Sequence, residues 1–112
     1  MRDNYNRVQK FEQITDEMFD LYKRKNADYG NSVAKTFDEY GLVSFLVRIE
    51  DKLNRVSTLT KKSSTEQQVK DEKIEDTLLD LANYSIMALI ELDRVKSELT
   101  CEMSVDNNEH RR

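Results

Sequence analysis

Along most of the chain, apolar residues return every three or four positions, the spacing of one face of an α-helix rather than the alternation of a strand. The longest such stretch, KIEDTLLDLANYSIMALIELDRV at 73–95, contains neither Gly nor Pro and is long enough for about six helical turns. Ile74, Leu78, Leu81, Ser85, Ala88 and Leu92 form one face of it, and Leu79, Ala82, Ile86 and Ile90 a second beside it. A surface helix needs a single apolar face, so this helix is predicted to be central and packed on both sides. The polar stripe that remains is Asp76, Asp80 and Asn83, at i, i+4 and i+7.

Three further helices follow from the same pattern. Val8, Phe11, Ile14, Met18, Leu21 and Tyr22 give a helix over 4–26, with Asp3 as N-cap and Lys23, Arg24 and Lys25 in its last turn, where cations suit the dipole. Gly30 ends that helix or shapes the turn after it. Between Ala27 and Gly41 the pattern is least regular. Asn31 or Ser32 caps a short helix through Glu39 there, with Val33, Phe37 and Tyr40 facing inward. The next helix runs over 42–61, and Leu42, Phe45, Leu46, Ile49, Leu53 and Val56 form its core face. KSSTEQQVKD at 62–71 reads as a polar linker, with Asp71 capping the central helix and Glu72 and Glu75 at its positive end. That helix is expected to run on to about 102, and the tail from 104 lacks any period.

Composition agrees with an all-α fold in one domain, 1–103, followed by a flexible tail, 104–112. There is no Pro, there are two Gly, and 36% of residues are charged against 38% hydrophobic. The net charge of −4 argues against coating DNA or RNA, so no direct nucleic-acid binding is expected, yet it leaves room for a local basic site. A lone Cys101 rules out an internal disulfide and fits a reducing cytoplasm. No apolar run approaches the ~20 residues needed to span a bilayer, and a cytoplasmic protein without membrane contact is predicted.

Candidate chemistry lies off the core faces. Arg48, Lys52 and Arg55 line one flank of the 42–61 helix at i, i+4 and i+7, an alignment suited to a polyphosphate or to a solvated face with intrahelical ion pairs. Glu50 and Asp51 point toward another side. Asp76 and Asp80 sit one turn apart, close enough to share a hard cation, and an antiparallel neighbour would bring Glu50 and Asp51 toward them. His110, the single histidine, lies in the tail, so any metal is Mg²⁺, with Mn²⁺ as substitute, held by oxygens. Such an ion suits hydrolysis at an α–β phosphate bond. The same carboxylates serve equally well as acceptors in a structural polar network, and spacing does not choose. Asp28, Tyr29 and Asn31 combine a carboxylate, an aromatic plate and an amide, a set that can wall a nucleobase.

YGLVSFLVRIEDKLNRVSTL, followed by IEDTLLDLANYSIMALI and preceded by KNADYGNS, resembles the nucleotide-modification-associated domain found in many phage genomes. The resemblance spans roughly 18–92. That family is similar in turn to the all-α nucleotide pyrophosphohydrolases of the MazG and dimeric dUTPase type, in which helical carboxylates hold Mg²⁺ around a nucleoside triphosphate and two or more chains build the site. It implies a MazG-like bundle of three long helices and one short one, completed by homo-oligomerisation. The matching positions are Asp28, Tyr29 and Gly30, then Arg48, Asp51, Lys52 and Arg55, then Glu75, Asp76, Asp80 and Asn83. One departure stands out. MazG enzymes carry E-x-x-E on one helix and E-x-x-D on the next, whereas Glu50 has Val47 and Leu53 three residues away and Asp80 has Thr77.

Three readings follow. In the first, a phage protein in the host cytoplasm hydrolyses nucleoside triphosphates to release pyrophosphate. Glu50, Asp51, Asp76 and Asp80 are then catalytic, with Asp76, Asp80 and Glu50 as metal ligands. Arg48, Lys52 and Arg55 clamp phosphate, while Asp28, Tyr29 and Asn83 meet the base. In the second, the same pocket sequesters a nucleotide-derived signal, such as a cyclic dinucleotide or an ADP-ribose derivative, against host defence. In the third, the chain is a helical interaction module.

Overall fold

The computed structural model describes residues 4–29, 31–61 and 74–106, with the side chains of Tyr29 and 102–106 outside that description. Asp3, Gly30, the 62–71 linker, Asp71, Glu72, His110 and the tail beyond 106 lie outside the described residues. Every described element is a helix, as the 3.6-residue period predicts, and no strand occurs among the described residues. The chain divides into two compact units, Met1–Val33 and Ala34–Arg112.

The first unit is built on α1, Arg7–Tyr29. Asn6 is its N-cap: the Gln9 N–H donates to Asn6 Oδ1 at 3.0 Å, and the Lys10 N–H to the Asn6 carbonyl at 3.1 Å. The start therefore falls three residues later than the pattern predicts, and the end also falls later, so Lys23, Arg24 and Lys25 are not in the last turn. Lys23 instead lies over the Phe19 ring, 4.5 Å from its centroid, and pairs with Asp20 at 3.7 Å. Val8 and Phe11 on the apolar stripe are exposed, while Met18 and Tyr22 are half-buried.

The second unit contains nearly all of α2 (Ser32–Tyr40), with α3 (Val43–Lys61) and α4 (Ile74–Asp106). Gly41 separates α2 from α3 at φ +71°, a left-handed conformation that an L side chain adopts only at a cost. Its N–H donates to the Phe37 carbonyl at 2.7 Å, closing α2 with a left-handed C-cap, and its own carbonyl accepts from the Ser44 N–H and hydroxyl at 3.1 and 2.8 Å. The Phe45 N–H donates to the Leu42 carbonyl at 2.9 Å and the Leu46 N–H to the same carbonyl at 3.0 Å, which starts α3.

α3 and α4 pack antiparallel. The contacts that tie α4 to α2 and α3 pair Asp38 with Arg94, Arg48 with Tyr84, and Lys52 with Asp80. Each step forward in one partner is matched by an equal step back in the other, which fixes the register. The buried core is Phe37, Phe45, Leu59, Met87 and Ala88, with Thr77 and Glu91 buried beside them. Phe37 and Phe45 meet edge to face-like, centroids 6.0 Å apart and planes tilted by 50°. No buried side-chain polar atom among the described residues lacks a hydrogen-bond partner.

The packed faces are rotated from those the periodicity predicts. On α3 the face runs through Phe45, Ile49, Lys52, Val56 and Leu59, whereas Leu42, Leu46 and Leu53 are exposed. On α4 it runs through Thr77, Tyr84, Met87, Ala88 and Glu91, whereas Leu78, Ser85 and Leu92 are exposed. Tyr40, expected to face inward from α2, is 64% exposed. Where apolar residues flank both sides of a helix, hydrophobic count does not decide which side is packed, and paired polar residues take the remaining seam positions. α4 is also longer than expected, reaching Asp106 through 101–106, a stretch with no Gly or Pro to stop it. No helix among the described residues is long and apolar enough to cross a membrane.

Candidate functional site

The antiparallel register lays the cationic flank of α3 against the acidic stripe of α4. Four residues along a helix is about one turn, so Arg48 and Lys52 on α3 meet Tyr84 and Asp80 on α4 as consecutive rungs. Lys52 Nζ lies 3.3 Å from Asp80 Oδ2, with the lysine side chain 21% exposed and the aspartate 46%. The lysine stem thus fills the seam while its ammonium reaches the edge. Burial of Lys52 is a consequence of the rotated packing, since the sequence pattern sets it off the core face.

Arg48 is exposed, and its Cζ sits over the Tyr84 ring, 5.7 Å from the centroid. Among the described residues no carboxylate pairs with its guanidinium, and the side chain stays exposed. Arg55, the third cation of the flank, is exposed and engaged in a contact of its own. Asp76 is exposed one turn before Asp80, and Asn83 directs its amide to Met87 Sδ at 3.7 Å, a weak bond. The seam therefore joins Arg48, Lys52, Tyr84 and Asp80, with Arg55 and Asp76 next along their own helices.

The other expected site residues are placed differently. Glu50 and Asp51 are both exposed on α3, and Asp28 is exposed on α1. Tyr29 is the last residue of α1, its side chain outside the description. Among the described residues no group of three or more His, Cys, Asp or Glu is arranged to hold a metal ion.

A second polar cluster escaped the sequence pattern. Arg94 on α4 donates from Nη2 to Asp38 Oδ1 at 2.7 Å, from Nε to Glu91 Oε1 at 2.8 Å and from Nη1 to both Glu98 oxygens at 3.1 and 3.2 Å. Hydrogen bonds to Asp38 and Glu91 raise the guanidinium pKa further, so it stays cationic throughout. Glu91 and Glu98 stand three before and four after Arg94, a spacing visible in the sequence; Asp38, which carries the clasp across to α2, is not foreseeable from spacing. Every nitrogen of the guanidinium is bonded to a carboxylate, and this cluster fastens α2 to α4.

Comparison with curated proteins gave no match, and comparison with solved structures gave none. The family model described as nucleotide modification associated domain 1 matches residues 25–92, a stretch that takes in α2, α3 and the seam side of α4. The chain belongs to that nucleotide modification associated domain family.

Proposed function

We propose that the chain binds a nucleotide or nucleotide-derived small molecule along the α3–α4 seam, with Lys52, Arg48 and Arg55 receiving its phosphates. The observation that carries this reading is Lys52: a half-sequestered ammonium, paired with one partly exposed carboxylate and one turn from an exposed arginine. A phosphate oxygen competes with Asp80 for that ammonium and finds a planar fork beside it. Membership of a nucleotide-associated family supports a nucleotide over other anions. In the phage setting that the resemblance implies, the protein works in the host cytoplasm, either removing a nucleotide signal from circulation or serving nucleotide metabolism.

A second reading, MazG-like release of pyrophosphate from a nucleoside triphosphate with Mg²⁺, is favoured by Asp76 and Asp80 standing one turn apart beside the same cations. In this reading Glu50 completes the metal ligands with Asp51 beside it, and a second copy of the chain supplies any further oxygens. Homo-oligomerisation belongs to both readings, because the face of α4 turned away from α3 exposes Leu78, Ile86, Leu89 and Ile90.

Incubation with nucleoside triphosphates, cyclic dinucleotides and ADP-ribose, with and without Mg²⁺ or Mn²⁺, tests these readings. Both the filtrate and the denatured protein are then chromatographed. Depletion from the filtrate with unchanged ligand released on denaturation supports binding. New products that vanish in Asp76→Ala support hydrolysis. Full recovery of every compound in the filtrate removes both.

A further inference from the structure

Within the nucleotide reading, on which this inference rests, the seam also supplies a place for the base. Of the three cations of the flank, Lys52 is held by Asp80, Arg55 is engaged in a contact of its own, and Arg48 lies over the Tyr84 ring. A guanidinium is planar and binds through two geometries at once, stacking through its face and donating hydrogen bonds through its edge. On one side of the Arg48 guanidinium lies the Tyr84 ring, half-buried in the seam, with its centroid 5.7 Å from Cζ. Arg48 itself is exposed. Lys52 stands one turn away, about 6 Å along α3, a span suited to phosphates reaching the ammonium while the base lies over the arginine.

We propose that Arg48, backed by the Tyr84 ring, is the shelf on which the base of the bound nucleotide stacks, with Tyr84 as the positioning residue and purines favoured over pyrimidines. The cation–π contact with Tyr84 holds the guanidinium at the seam, and the larger purine covers more of it. The family resemblance sets the base against Asp28, Tyr29 and Asn83. The shelf instead lies inside the seam, formed by the two helices that also carry the phosphate contacts.

Calorimetric titration of the full chain tests the shelf with α,β-methylene ATP, α,β-methylene CTP, cyclic di-AMP and inorganic triphosphate, the methylene bridge preventing cleavage. The wild type is expected to bind the ATP analogue several-fold more tightly than the CTP analogue. Tyr84→Leu weakens the ATP analogue about tenfold and inorganic triphosphate less than about twofold, and Tyr84→Phe, which keeps the ring, retains wild-type affinity. Far-UV circular dichroism of both variants shows that helicity is kept. A merely structural Tyr84 would weaken the nucleotide and the inorganic anion alike, and that outcome overturns the shelf; so does unchanged affinity in Tyr84→Leu. Equal wild-type binding of the nucleotides and of inorganic triphosphate leaves the phosphate site standing and overturns the shelf alone. Binding of none of the four overturns the nucleotide reading together with the shelf.

Discussion

Asp80 is the residue at which the two functional readings predict opposite results. Its carboxylate sits 3.3 Å from the Lys52 ammonium, so in a protein that binds phosphate without turnover it is a competitor for the same cation. Asp80→Asn then removes a like charge from the ligand's neighbourhood, and affinity for a nucleotide is expected to rise by about 1 kcal/mol, roughly fivefold, at low salt. Lys52→Ala lowers it by about tenfold, because the ammonium is the most sequestered cation of the seam. In a hydrolase Asp80→Asn instead abolishes turnover. Titration calorimetry and product chromatography on the same two variants separate the cases. Neither variant should unfold the protein: a partly exposed ion pair contributes about 0–1 kcal/mol, so Tm moves by no more than a few degrees.

At the scale of elements, the connection between α2 and α3 and the clasp between α2 and α4 are the two points most sensitive to change. Gly41→Ala meets no atom within 4 Å, so its cost is that of the backbone alone: about 1–2 kcal/mol for a left-handed L residue, read as a Tm fall of roughly 4–8 °C per kcal/mol. Gly41→Asn costs less, because Asn tolerates that region. Arg94→Met strips the buried Glu91 of its cation and lowers Tm by several degrees, whereas Arg94→Met combined with Glu91→Leu recovers part of the loss. A double variant no better than the single one would show that the clasp acts through Asp38 alone. Helix existence was legible in the sequence because no Pro and only two Gly interrupt the pattern. Helix faces were less so. Leu46 and Leu53 weigh as much as Phe45 and Leu59 in any count of apolar positions, yet only the latter pair is buried. The cationic flank and acidic stripe were both readable as lines at i, i+4 and i+7. Their meeting was not, since the register that sets Lys52 on Asp80 and Arg48 on Tyr84 depends on interlocking side chains of two helices, which no single-helix spacing encodes.

At the scale of the whole molecule, the proposed homo-oligomer rests on apolar side chains of α4 that α3 does not cover. α4 is 33 residues long, about 50 Å, while α3 is 19, about 28 Å, so a single α3 cannot cover it. Leu78, Ile86, Leu89 and Ile90 recur on the side of α4 away from the core at helical spacing, and Leu89 is 65% exposed. A stripe of this kind on a soluble helix is the usual signature of a helix–helix interface, and two copies related by a twofold axis bury it against itself. Light scattering coupled to gel filtration is expected to give a mass of at least twice the 13.2 kDa of the chain, with a Tm that rises with protein concentration. Leu89→Glu, at a position that touches little in the single chain, should shift that mass toward 13.2 kDa while leaving helicity intact. If nucleotide binding disappears with the oligomer, the site draws residues from both copies, and the carboxylates that one chain lacks come from the other. If binding survives in a 13.2 kDa species, the seam is sufficient in one chain. A wild type of monomeric mass at every concentration removes the partner, and with it the route by which a second copy completes a metal site.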